Sequence, residues 1–128
     1  MVTAHALSNI LAYILAFFSA LCVQAHLTPI FTPTFSANLA ALRPHHNKVI
    51  FGWANISDTT TKYVLVTVNT VLAVLLALPG YRATGLKWTL GLLLVGFYSD
   101  MRLDSKKMEH ALSHVVLCGI TGAAIWVR

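Results

Sequence analysis

Apolar and polar residues fall in long blocks along the chain, and the blocks predict four membrane-crossing helices. The first run, Ala6 to Leu27, contains no Lys or Arg and is bounded by His5 and Thr28-Pro29. Asn9 and Tyr13 lie four apart in it and turn one polar stripe inward. The interval from Thr28 to Thr61 is the longest polar one. Pro29 and Pro33 block a regular helix at its start. Ser36 then caps a short helix through Leu42, with Arg43 in its last turn and Pro44 as its stop. Phe31, Phe35 and Leu39, followed by Val49 to Trp53, suit a segment lying at the interface. Tyr63 to Leu78, extended back through Lys62 and Asp58, forms the second span. Pro79-Gly80 breaks it and a short Tyr81–Thr84 turn leads to the third, from about Leu86 to Met101. Gly91 and Gly96 in the third span, and Gly119 and Ala123 in the fourth, permit close helix approach.

Composition sharpens this picture. The chain has 128 residues, 57% of them hydrophobic and 10% charged, against about 25% charged in soluble domains. Its mean hydropathy is +0.71. A soluble domain this small does not bury so much apolar surface. The expected fold is all-α: one integral membrane domain over residues 1–128, an antiparallel four-helix bundle with an interfacial segment between helices 1 and 2. The spans fall at about 6–27, 60–78, 86–101 and 109–127. Val23-Gln24-Ala25 resembles a signal-peptide cleavage site, but no basic stretch precedes the run as a signal peptide requires.

The net charge of +5 comes from basic residues scattered singly or in short groups between the runs, a topology pattern rather than a nucleic-acid footprint. Arg43, Lys48, Lys62, Arg102, Lys106 and Lys107 fall on one side, and Arg82, Lys87 and Arg128 on the other. Basic residues favour the cytoplasm, so the first and third loops are expected there, in a multi-pass protein of the endoplasmic reticulum. Cys22 and Cys118 both sit inside apolar runs and read as small hydrophobes.

Threading the spans brings the acidic residues Asp58, Asp100, Asp104 and Glu109 to one end. His26, His45, His46, His110 and His114 join them. Glu109 at a helix start suits the helix dipole, and Asp104 with Lys106-Lys107 reads as a solvated loop. Asp100 and His114 reach back into the apolar runs, where ionisable groups cost several kcal/mol and usually mark function. Pairs at i,i+4, Asp100 with Asp104 and His110 with His114, would share helix faces as a metal site would require; the favoured reading needs no metal and no cofactor. It is acid–base work by Asp100 with Asp58 or Asp104, Asp58 being the preferred partner and His114 and Arg102 the orienting groups, on an epoxide whose oxygen is protonated while water or an internal hydroxyl attacks carbon. Asn69, Tyr98 and Asn9 are the expected substrate-binding residues.

The segment Gly52 to Arg128 resembles the small four-helix DoxX-like integral membrane proteins. It shares a polar approach to the second span, the tight basic turn Pro79-Gly80-Tyr81-Arg82-Ala83-Thr84-Gly85, a third span ending in Asp100 and an early His114 in the fourth. Small proteins of this look occur in fungal polyketide clusters, some assigned as membrane epoxide hydrolases or cyclases. The resemblance implies a lipophilic polyketide-type substrate met at the bilayer. The alternative is a non-catalytic accessory subunit, associating, also with its own copies, through the small-residue faces.

The Asn55-Ile56-Ser57 sequon lies in the loop assigned to the cytoplasm. Endoglycosidase treatment of the chain expressed in a eukaryotic host is therefore expected to leave its gel mobility unchanged; a shift reverses the topology.

Overall fold

A computed structural model of the chain describes the backbone of residues 1–103 and 108–128, and the side chains of 1–103 and 111–128. Among these residues there are five helices and no strand: α1 (Ala4–Leu27), α2 (Pro33–Phe51), α3 (Asp58–Ala77), α4 (Arg82–Met101) and α5 (Met108–Trp126). Asp104, Lys106 and Lys107, with the side chains of Glu109 and His110, lie outside the described residues.

Helices α1, α3, α4 and α5 close a ring, each packed against the next, while α2 leans on α1, α3 and α4. Three polar links set the directions. Ser8 Oγ near the start of α1 donates to the Ala124 carbonyl near the end of α5, at 2.7 Å. Arg82 at the start of α4 bonds to the end of α3. Asp100 at the end of α4 meets His114 near the start of α5. Neighbours in the ring are therefore antiparallel.

The chain between α1 and α3 departs from expectation. Instead of a short helix ending at Pro44, α2 runs 19 residues through it. Pro33 opens the helix at its first position, where the missing N–H is no loss. Ser36 does not cap: its Oγ donates to the Ala25 carbonyl of α1 at 2.6 Å. A proline inside a helix leaves the carbonyl four residues back without its donor, at a cost of about 3 kcal/mol. Tertiary bonds just beyond Pro44 offset that cost, with His45, His46 and Asn47 all engaged by other elements. Gln24 braces the corner, donating to Thr28 O at 2.7 Å and accepting from Thr32 Oγ1 at 2.8 Å.

The α3–α4 turn is also tighter than expected, because α4 begins at Arg82 and not near Leu86. Arg82 is 3% exposed and reaches back over the turn. Its Nε donates to Leu76 O at 2.8 Å and Nη2 to Ala77 O at 3.0 Å, satisfying carbonyls that a helix C-terminus leaves open. Nη1 donates to Asn9 Oδ1 at 2.6 Å, and the guanidinium lies 4.6 Å from the centre of the Tyr13 ring. At Gly85 a Cβ would stand 3.1 Å from the Leu75–Leu76 backbone, so any side chain there would have to push the end of α3 away by a few tenths of an ångström.

Beside this plug lies the packed core: Ala12, Leu15, Ala16, Leu76, Leu86 and Ala124, with Leu11, Leu117, Ile120 and Ile125 against it. Much of the outer surface is apolar, including Phe17, Val71, Trp88, Leu94, Leu112 and Val116. Helices α1 and α3 are long and apolar enough to cross a membrane, and α5 holds a shorter apolar stretch, Ala111–Trp126. Helix α4, which carries Arg82, Lys87 and Asp100, is not among them. Gly91 and Gly119 do not mediate close approach within the molecule; a Cβ on either would meet nothing within 4 Å.

Arg82→Met leaves two carbonyls and a carboxamide unpaired and is expected to cost about 3 kcal/mol of stability. Asn9→Ala should cost roughly half of that. Thermal unfolding of the detergent-solubilised protein measures both.

Candidate active site

Where the Arg82 end is filled, the opposite end is hollow. A cavity of about 450 Å³ opens between α1, α2, α3, α4 and α5. Its walls are mostly apolar, among them Phe18, Leu65, Val68, Leu72, Leu92 and Leu117. Polar groups interrupt them, among them Ser19, His26, His46, Asn69, Asp100 and His114. An apolar cleft of this size with few polar groups is how a small-molecule site is built.

The last turn of α4 supplies Ser99 and Asp100, both buried. The Asp100 side chain is 1% exposed, and Oδ2 lies 2.5 Å from His114 Nδ1. A carboxylate only accepts, so Nδ1 carries the proton of this pair. Charge-assisted bonds of this kind are short and strong, and a buried carboxylate needs one. Oδ1 is also buried and has no hydrogen-bond partner among the described residues. Gly96, one turn before Asp100, makes room for the imidazole. A Cβ there would collide with the ring, standing 2.8 Å from Cδ2 and closer still to Nε2.

Helix α2 clasps the same turn of α4. His45 Nε2 donates to the Ser99 carbonyl at 2.7 Å, and His46 Nδ1 pairs with Ser99 Oγ at 2.6 Å. The same carbonyl also accepts from the Arg102 backbone N–H at 3.1 Å. His26, in the last turn of α1, faces Arg43 of α2, whose Nη2 lies 3.5 Å from its Nδ1. Asn69, midway along α3, donates Nδ2 to Leu65 O of its own helix at 2.9 Å. Among the described residues, no three His, Cys, Asp or Glu side chains converge as a metal ion would require.

Of the residues singled out in the sequence, Asp100, His114 and Asn69 line the cavity together. The other four stand elsewhere. Asp58 is exposed in the first turn of α3, where Oδ1 accepts from Asn47 Nδ2 at 3.1 Å. It suits the helix dipole there, and it does not line the cavity. Arg102 and Tyr98 pair with each other on the outer surface. Nε and Nη2 of Arg102 donate to the Tyr98 hydroxyl at 3.1 and 2.8 Å. Asn9 serves the Arg82 plug at the far end. Asp100 is therefore bonded to His114, while Asp58 stands apart from it and outside the cavity. His46 is among the histidines the sequence gathers at this end, but its bond to Ser99, the residue before Asp100, forms only because α2 continues past Pro44.

Two relatives match over essentially their whole length. Cyclic ether formation enzyme gkaZ of Penicillium citrinum is 59% identical over 128 residues, covering 100% of both chains. Cyclic ether formation enzyme xenC of Xenoacremonium sinensis is 53% identical over 122 residues, covering 95% of this chain and 96% of its own. No family model matches, so the DoxX-like resemblance is not shown, and no solved structure matches either.

Gly96→Ala is expected to displace the His114 ring and break its bond to Asp100, costing about 1–3 kcal/mol as overpacking does. A lower unfolding temperature in detergent, with a changed nitrogen-15 signal from the His114 ring, checks it.

Proposed function

The chain belongs to the family of the fungal cyclic ether formation enzymes, and from that premise we propose that it is a membrane-embedded cyclase of secondary metabolism. It closes an oxygen ring in a lipophilic polyketide-type intermediate by opening an epoxide with one of the substrate's own hydroxyl groups. The carrying observation is the buried Asp100–His114 pair on the wall of an apolar cavity in a member of that family.

The hydroxyl oxygen attacks an epoxide carbon and the carbon–oxygen bond of the epoxide breaks. The attacking oxygen loses a proton and the departing oxygen gains one, so the reaction is an isomerisation with no net proton. Asp100 with His114 receives the first proton. His46, held on Ser99 Oγ, stands on the same wall as a donor for the second. General acid–base help of this kind is worth about 10²–10⁴ in rate. Asn69 offers a polar anchor for the rest of the substrate. The apolar lining excludes water, which favours ring closure by an internal hydroxyl over hydrolysis.

An apolar outer surface and the two long apolar helices support embedding in a bilayer, with α4 and α5 as further spans. In this reading the whole chain is one domain of the endoplasmic reticulum membrane. The cavity end faces the cytoplasm, in keeping with Arg43, Lys48, Lys62 and Arg102 at that end. Substrate enters from the lipid.

A Penicillium citrinum strain lacking gkaZ provides the assay. Membranes containing this chain should cyclise the precursor extracted from that strain. Asp100→Asn should lower the initial rate by about 10³, whereas Asp58→Asn should leave it within about twofold, a margin set by its exposure outside the cavity. Cyclisation by Asp100→Asn at the parent rate would sink the proposal.

A further inference from the structure

His26 is a cavity-lining group that the proton transfers above do not use. It sits in the last turn of α1, 8% exposed, and its ring has one polar contact among the described residues, the Arg43 guanidinium 3.5 Å from Nδ1. A guanidinium has only donors, so the nitrogen facing it offers a lone pair. A proton on Nδ1 would set two donors face to face, and a proton on both ring nitrogens would add a second cation. Arg43 thereby selects one tautomer: a neutral imidazole with its proton on Nε2. Nε2–H has no partner among the described residues, and His26 forms part of the same cavity wall as Asp100 and His114. Arg43 itself does not line the cavity.

We propose that His26 is a further catalytic residue, donating a hydrogen bond from neutral Nε2–H to the epoxide oxygen while negative charge develops there, with Arg43 as its positioning residue. The proposal rests on the cyclase reading. As the new carbon–oxygen bond forms, the electron pair of the breaking bond passes to the epoxide oxygen. His26 stabilises that oxygen without giving up its proton. The proton released by the attacking hydroxyl goes to the Asp100–His114 pair, and the departing oxygen takes its own from His46. A fixed donor aimed at developing charge, shielded from water, needs no reorganisation as the charge appears.

Three variants test this in membranes given the precursor from the gkaZ-deficient strain, with rates referred to the amount of chain in the membrane. His26→Ala should lower the initial rate about 100-fold, the loss expected for one such donor. His26→Gln, which keeps an N–H near the position of Nε2, should recover at least about a tenth of the parent rate. Arg43→Met should slow the parent yet cause no further loss in the His26→Gln background, because a carboxamide has no tautomer to select. Independently of turnover, nitrogen-15 spectra of histidine-labelled protein in detergent should show the His26 ring neutral with its proton on Nε2. That signature should be lost in Arg43→Met. His26→Ala within threefold of the parent, or a cationic or Nδ1-protonated His26 ring, overturns the assignment. If Asp100→Asn is inactive while His26→Ala is active, the His26 assignment alone fails; if Asp100→Asn is also active, the cyclase reading fails with it.

Discussion

A carboxylate enclosed by apolar helices must find a donor, and one half of this protein is arranged around how Asp100 finds His114. The bond joins the end of α4 to the start of α5, so it also sets how these two helices meet. Its geometry depends on an absence. Only a residue without Cβ at position 96 leaves space for the imidazole, which ties the backbone of α4 to the chemistry of α5. The cost of burying Asp100 is thereby turned into a fixed, oriented pair at the wall of a cavity.

The two ends of the molecule solve the same problem in opposite ways. At the Arg82 end every nitrogen of a buried cation is used, on two carbonyls of α3 and the Asn9 carboxamide, and the guanidinium also faces the Tyr13 ring. Small residues, Ala12, Ala16 and Ala124, let the helices pack closely in the core beside it. At the Asp100 end the helices surround a largely apolar cavity, and Asp100 Oδ1 and Arg43 Nε have no hydrogen-bond partner among the described residues. A rigid plug at one end and an incompletely satisfied cavity at the other suit a site that must hold a substrate without collapsing.

Helix α2 completes the cavity, and its route explains why an internal proline is tolerated. Pro44 interrupts the helix ladder just before the three residues that anchor it, His45 and His46 on Ser99 and Asn47 on Ile56 O and Asp58. Those bonds connect α2 to the turn that carries Asp100, so the element that covers the cavity is anchored beside the Asp100–His114 pair. Arg43, in the residue before the proline, extends that role to His26.

The sequence by itself determined the broad architecture. Blocks of apolar residues marked four of the five helices, and the ionisable groups Asp100 and His114 stood out because burial of charge is costly wherever the helices pack. Periodicity also assembled the histidines at one end. It could not say which acid would face the cavity, because Asp58 and Asp100 differ by a helix face and a few residues of depth, and that difference decides between solvent and burial. Nor could it foresee that α2, expected as a short helix through Leu42, continues past Pro44. Local propensity rightly counts Pro44 as a helix breaker, and only bonds from residues distant in the chain outweigh it. What the tertiary structure decided was therefore the identity of the partners. Asp100 pairs with His114 and not with Asp58, Asn9 serves Arg82, and Arg102 holds Tyr98, because hydrogen bonding between helices depends on rotation and depth that no single helix specifies.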